Sequence, residues 1–126
     1  MHWEIRLDLE KQYAEVTTHG IADGDGSMAM VKALLNAIEG KSIKYTLIDH
    51  RAIQQVIGDT LGVYNRPKKF TEMGVDHSVK IAEVVNPEHR EFFNFLKLVC
   101  INRGFRFSIF NDTESALKWL FGSERP

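Results

Sequence analysis

The segment Phe105-Arg-Phe-Ser-Ile-Phe110, running into Asn111-Asp-Thr-Glu-Ser-Ala-Leu-Lys-Trp-Leu-Phe121-Gly122, constrains this chain most, because it carries a strand, a helix and the signals between them. Phe105, Phe107 and Ile109 alternate with Arg106 and Ser108, the period of a strand that buries one face. Ala116, Leu117, Leu120 and Phe121 then follow helical spacing. Asn111, three residues before Glu114, is the expected helix cap, and Gly122 the expected left-handed stop. The closing helix is therefore expected to pack as part of the core.

Upstream, Trp3, Ile5 and Leu7 alternate with Glu4, Arg6 and Asp8, and Leu9-Glu-Lys-Gln12 turns the chain. Tyr13 to Thr18 reads as a second strand ending at Gly20, so a hairpin is expected. Asp23-Gly-Asp-Gly-Ser27 breaks the pattern and offers caps, after which Met30, Val31, Leu34, Leu35 and Ile38 share one helical face before Gly40. Ile43 to His50 is apolar until Asp49, the signature of a central strand covered on both faces. Gly58-Asp-Thr-Leu-Gly62 opens a weaker helical stretch that Pro67 is expected to kink or end.

Val79, Ile81, Ala82, Val84 and Val85 form a fourth strand, and Asn86-Pro87 starts a helix that runs to Arg103 before Gly104. The order predicts one α/β domain over residues 1–126, an N-terminal β-hairpin followed by alternating helices and mostly parallel strands, about five strands and four helices in all.

Composition narrows the function classes. The 126 residues are 44% apolar and 26% charged, enough for one core, and a formal charge of -1 lacks the basic surface that duplex nucleic acid requires. Nucleic acid is not an expected partner. The lone Cys100 makes no internal disulfide and the chain opens on His2-Trp3-Glu4 without a signal-like apolar run, so a cytoplasmic location is expected. No apolar run approaches the roughly 18 residues of a membrane span, and no integral membrane segment is expected.

Specific chemistry is sparse. Asp23-Gly-Asp-Gly-Ser27 resembles the opening of a calcium loop, but Met28 stands where glycine is needed and Leu34 where a bidentate glutamate is needed. His2, His19, His50, His77 and His89 show no paired ligand spacing, so neither a metal nor another cofactor is expected. Cys100 reads as a small apolar filler. Glycine-rich phosphate loops and nucleophile elbows are absent.

Position in the fold is more informative, since ligands of open α/β sheets sit beyond the carboxyl ends of the strands. His19, Asp49, His50, Arg51, Asn86 and His89 are expected to collect there, with Asn111 and Asp112, as a binding rim or simply as caps and loop residues. In the third helix, Phe92, Phe95, Leu96, Val99 and Cys100 share a face from which Leu98 and Ile101 point away. That spare apolar surface suits a neighbouring helix, a partner or a homodimer.

Leu47-Ile48-Asp49 closing a central strand and Asp59-Thr60-Leu61-Gly62 opening the next helix resemble the STAS, or anti-anti-sigma factor, domain. Arg106 to Leu120 and Val16-Thr-Thr-His-Gly20 are similar, more particularly, to its SpoIIAA-like branch of small bacterial proteins. The resemblance covers nearly the whole chain. It implies a SpoIIAA-like fold and a non-enzymatic regulatory module whose partner is another protein, bound through approximately Asp49 to Arg66. It also implies Thr60 as a phosphorylation site with Asp59 beside it, although the hydroxyl pair and adjoining glycine of the family turn are replaced by Thr60-Leu61-Gly62.

The resemblance extends to carriers, so the alternative is a small-molecule or lipid-binding protein. There the spare apolar residues of the third helix would line a cavity and Arg66, Lys68 and Lys69 would meet an anionic head group. An enzyme built on His50 with Asp49 or Asp59 is not expected, because neighbouring strand residues face opposite ways.

Overall fold

The structure, a computed structural model, describes residues 1–122. Strands β1 (His2–Asp8) and β2 (Tyr13–Ala22) form an antiparallel hairpin. Helix α1 (Gly24–Ile38) leads to β3 (Tyr45–Val56), α2 (Thr60–Met73) to β4 (Lys80–Val84), and α3 (Arg90–Asn102) to β5 (Arg106–Phe110), before the final α4 (Thr113–Phe121). The sheet runs in sequence order β1-β2-β3-β4-β5, and every pair after the hairpin is parallel.

That order explains the distribution of helices. Each crossover moves the chain one place in the same direction, and right-handed crossovers taken in one direction leave their helices on one face. Helices α1, α2 and α3 accordingly share a face. Strand alternation points Ala14, Val16 and Ile48 toward α1, and Phe107 and Ile109 toward α2 and α3. The alternate residues Tyr13, Leu47, Ala82 and Val84 meet Ala116 and Leu120 of α4 on the other face.

Backbone bonds set the register. Gln12 takes a left-handed conformation at φ 55° in the hairpin turn, and its carbonyl accepts from the amides of Lys44 (2.9 Å) and Tyr45 (3.1 Å). The hairpin is thus tied to the start of β3. Two helices begin with the same device: Asp23 and Asp59 each accept from the amide of a glycine three residues on, Gly26 at 2.7 Å and Gly62 at 2.6 Å. A Cβ on either glycine would stand 3.0 Å or less from the capping carboxylate, which accounts for the Asp-x-x-Gly spacing.

Several sequence expectations change. Strand β2 continues through Gly20 to Ala22, and β3 begins at Tyr45 and continues through His50 to Val56, because these two strands pair with each other beyond the end of β4. Helix α2 passes through Pro67, which is fully buried; packing offsets the missing amide bond, and the helix ends at Gly74 with φ 93°. Asn86 caps a 3-10 turn at Pro87–His89 that precedes α3. The cap of α4 is Asp112, which accepts from the Ser115 amide at 2.7 Å, while Asn111 accepts from Arg90 at 2.8 Å. Gly122 is right-handed at φ -61°, so α4 has no left-handed stop there.

Candidate functional site

Polar residues enter the α1–α2–α3 face where the core would otherwise be apolar. Thr18 of β2, His50 of β3 and Glu83 of β4 are all buried. Between the pairs Thr17–Asp49 and His19–Ala52, β3 carries one extra residue, a bulge of the kind that re-aims side chains. There the Thr18 hydroxyl lies 2.7 Å from His50 Nδ1 and 3.2 Å from the Asp49 carbonyl. On the other side of the ring, His50 Nε2 lies 3.4 Å from Glu83 Oε1, and Phe93 stacks on the imidazole at 4.9 Å.

A hydroxyl, an imidazole and a carboxylate in series resemble a nucleophile with its base and orienting acid. The Thr18 hydroxyl, however, is fully buried and contributes nothing to the nearby cavity wall, which His50 and Glu83 do line. A nucleophile must reach its substrate. The array is better described as a polar strut that crosses three strands and ends at the cavity.

The cavity, of about 550 Å³, lies between α1 and the α2–α3 pair above the middle of the sheet. The buried positions of α2 hold only Val63, Arg66 and Pro67, opposite Met30 and Leu34 of α1. The cavity volume is that of a small-molecule site. Arg66 is 6% exposed and forms part of the wall, with its guanidinium 5.4 Å from the Phe92 ring centroid. Burial lowers its pKa against the opposing pull of Glu83. Among the described residues no carboxylate oxygen comes within 4.0 Å of Arg66.

The outer side of α2 differs. Leu61 is 69% exposed, Tyr64 50% and Ile57, just before the helix, 48%. Thr60 is the exposed first residue of α2, beside the capping Asp59. Lys68 and Lys69 are also exposed, so of the three basic residues named from sequence only Arg66 turns inward.

The remaining rim residues separate. His50 reaches the cavity, whereas Asp49 and Arg51 form a bidentate pair at 2.8 and 3.0 Å, with Arg51 also donating to Thr113 of α4. His19 stacks on His2 across the hairpin. Asn86 is a cap, and His89 Nδ1 is buried without a hydrogen-bond partner. Strand alternation divides the set, because His19, Asp49, His50 and Arg51 lie within strands. Leu98 and Ile101 remain exposed and do not line the cavity. Burial among apolar neighbours pushes the Cys100 thiol up to about 12.

Glu83 was missed in the sequence, although a carboxylate inside Ile81-Ala-Glu-Val-Val85 is an audible break in an apolar strand. Of the other two members of the array, His50 is named from sequence and Thr18 carries no local signal.

No family model and no curated protein sequence matches the chain. Solved structures do. An uncharacterized DUF3478-family protein from Shewanella loihica PV-4, described as having a SpoIIAA-like fold, superposes with a TM-score of 0.55 at 18% identity, over 94% of this chain and 92% of that one. The fold is SpoIIAA-like. An anti-sigma factor antagonist from Mycobacterium paratuberculosis gives 0.60 at 15% identity over 94% of both chains. The anti-sigma factor antagonist SpoIIAA in its unphosphorylated form gives 0.58 at 14% identity, over 96% of this chain and 99% of that one. The SpoIIAA-like sheet and its helices thus account for nearly the whole chain, and no helix among the described residues is long and apolar enough to cross a membrane.

Proposed function

We propose that this chain is a non-enzymatic regulatory module that docks a protein partner through the start of α2. The observation that carries this reading is the exposure of Ile57, Leu61 and Tyr64 around an ordered, Asp59-capped helix start. Exposed apolar groups held on a rigid element supply docking area at little ordering cost. Two of the structurally similar proteins are anti-sigma factor antagonists, which supports a protein partner.

Thr60 is the site at which docking would be switched. A phosphate there would add nearly two negative charges to the docking surface and would sit at a helix start, whose dipole favours it by about 0.3–1 kcal/mol. The test is affinity capture from the source cell with wild type, Thr60→Glu and the double variant Leu61→Asp/Tyr64→Ala. A protein enriched by wild type and lost with both variants is the expected result. Equal recovery on all three baits, or no enrichment on wild type, would overturn the reading.

A second reading, carriage of a small molecule, is supported by the cavity on the inner side of the same helix. Native mass spectrometry of the protein purified from its source checks it, with a co-purifying mass expected and a bare polypeptide mass counting against it.

A further inference from the structure

Arg66 places a guanidinium in the wall of a mostly apolar space, whose lining also includes the carboxylates of Glu39, Asp76 and Glu83 and the ammonium of Lys41. Glu83 is the carboxylate that influences it most, ahead of Asp23, yet Glu83 Oε1 is turned to His50 Nε2 at 3.4 Å and has no hydrogen-bond partner among the described residues. Arginine keeps its charge when buried, and a buried charge without a partner is strongly destabilising. Around it, Met30, Val31 and Leu34 of α1, Phe70 of α2 and Leu96 of α3 supply an apolar lining.

One kind of molecule meets both requirements. Resting on the ligand-carrying reading above, we infer that the cavity binds a single-chain amphiphile with an oxyanion head, a carboxylate or a phosphate monoester, its head on Arg66 and its chain between α1 and α2. A neutral hydrocarbon would fill the walls and leave the guanidinium without an acceptor. A cation would face Arg66, and a nucleotide would bring a polar base and sugar against aliphatic and aromatic side chains. The oxyanion head gains charge-assisted, bidentate bonds from the arginine fork.

Because Arg66 lies on the inner side of the helix that exposes Leu61 and Tyr64, the ligand and the docking surface share one element.

The experiment is calorimetric titration of the whole chain with dodecanoate, dodecyl phosphate, dodecanol and dodecyltrimethylammonium, each below its micellar concentration. Both anions are expected to bind, and the tighter one identifies the head group. Arg66→Met should weaken the anions roughly 10- to 100-fold while leaving dodecanol unchanged. Arg66→Lys, which keeps the charge, should retain part of the binding and guards against a folding defect in the methionine variant. Leu35→Trp, on the α1 wall, should weaken every ligand that enters. If dodecanol binds wild type as tightly as dodecanoate and Arg66→Met changes neither, the oxyanion head is overturned while carriage stands. If no amphiphile binds wild type, both fall.

Discussion

Asp49 shows how a charged residue is held in place at a strand that carries buried groups on its other side. Burial pushes its carboxyl up, but side-chain and backbone hydrogen bonds from Arg51 outweigh that and hold it below the ordinary carboxylate range. In the unfolded chain it returns to about 3.9. The stabilisation is therefore complete above roughly pH 4 and is lost as pH falls through the lower folded value. Asp49→Asn should be less stable than wild type at pH 7, and the gap should narrow as pH drops below about 4. Chemical denaturation across that range checks it, and a gap independent of pH would refute the assignment. The sequence places Asp49 and His50 at the end of a strand and Arg51 just after it, without pairing Asp49 with Arg51. Strand alternation keeps Asp49 and Arg51 together on one face and turns His50 to the other.

Among the helices, α2 has the least apolar buried side, and like α3 it exposes two large apolar residues, here Leu61 and Tyr64. Its start is local chemistry: the Asp59 carboxylate satisfies the Gly62 amide, and Asp59→Ala should destabilise the protein by about 0.5–2 kcal/mol with no change in the cavity lining. Thermal unfolding measures the loss, and an unchanged midpoint would show that the cap contributes nothing. Its middle is tertiary. Pro67 marks a helix end by local rules, yet contacts with α3 and α1 carry the helix six residues further to Met73. The closing strand and helix show the same division. The periods of Phe105 to Ile109 and of Ala116 to Leu120 survive in β5 and α4. The cap moved by one residue, since Asn111 is taken by Arg90 from α3, a partner twenty-one residues away in the chain.

Across the whole molecule, the two faces of the sheet differ in kind. The α4 face closes fully over Leu47, Ala82 and Val84, with Leu120 completely buried among them. Leu120→Ala should cost about 2–5 kcal/mol, readable as a lowered denaturation midpoint, and a loss below about 1 kcal/mol would mean the face repacks. The three-helix face is tight at its α3 end and open between α1 and α2.

Local sequence accounts for the element types, their order and the cap at Asp23. These depend on hydrogen bonds and periodicities spanning a few residues, so a local reading suffices. Tertiary structure alone brings His50, Glu83 and Arg66, drawn from three elements, to one cavity, with Thr18 behind His50. Their meeting depends on sheet register, on the bulge in β3 and on the packing of α2 against α3 and α1. Each of those is a relation between segments far apart in the chain, and no single stretch of residues contains it.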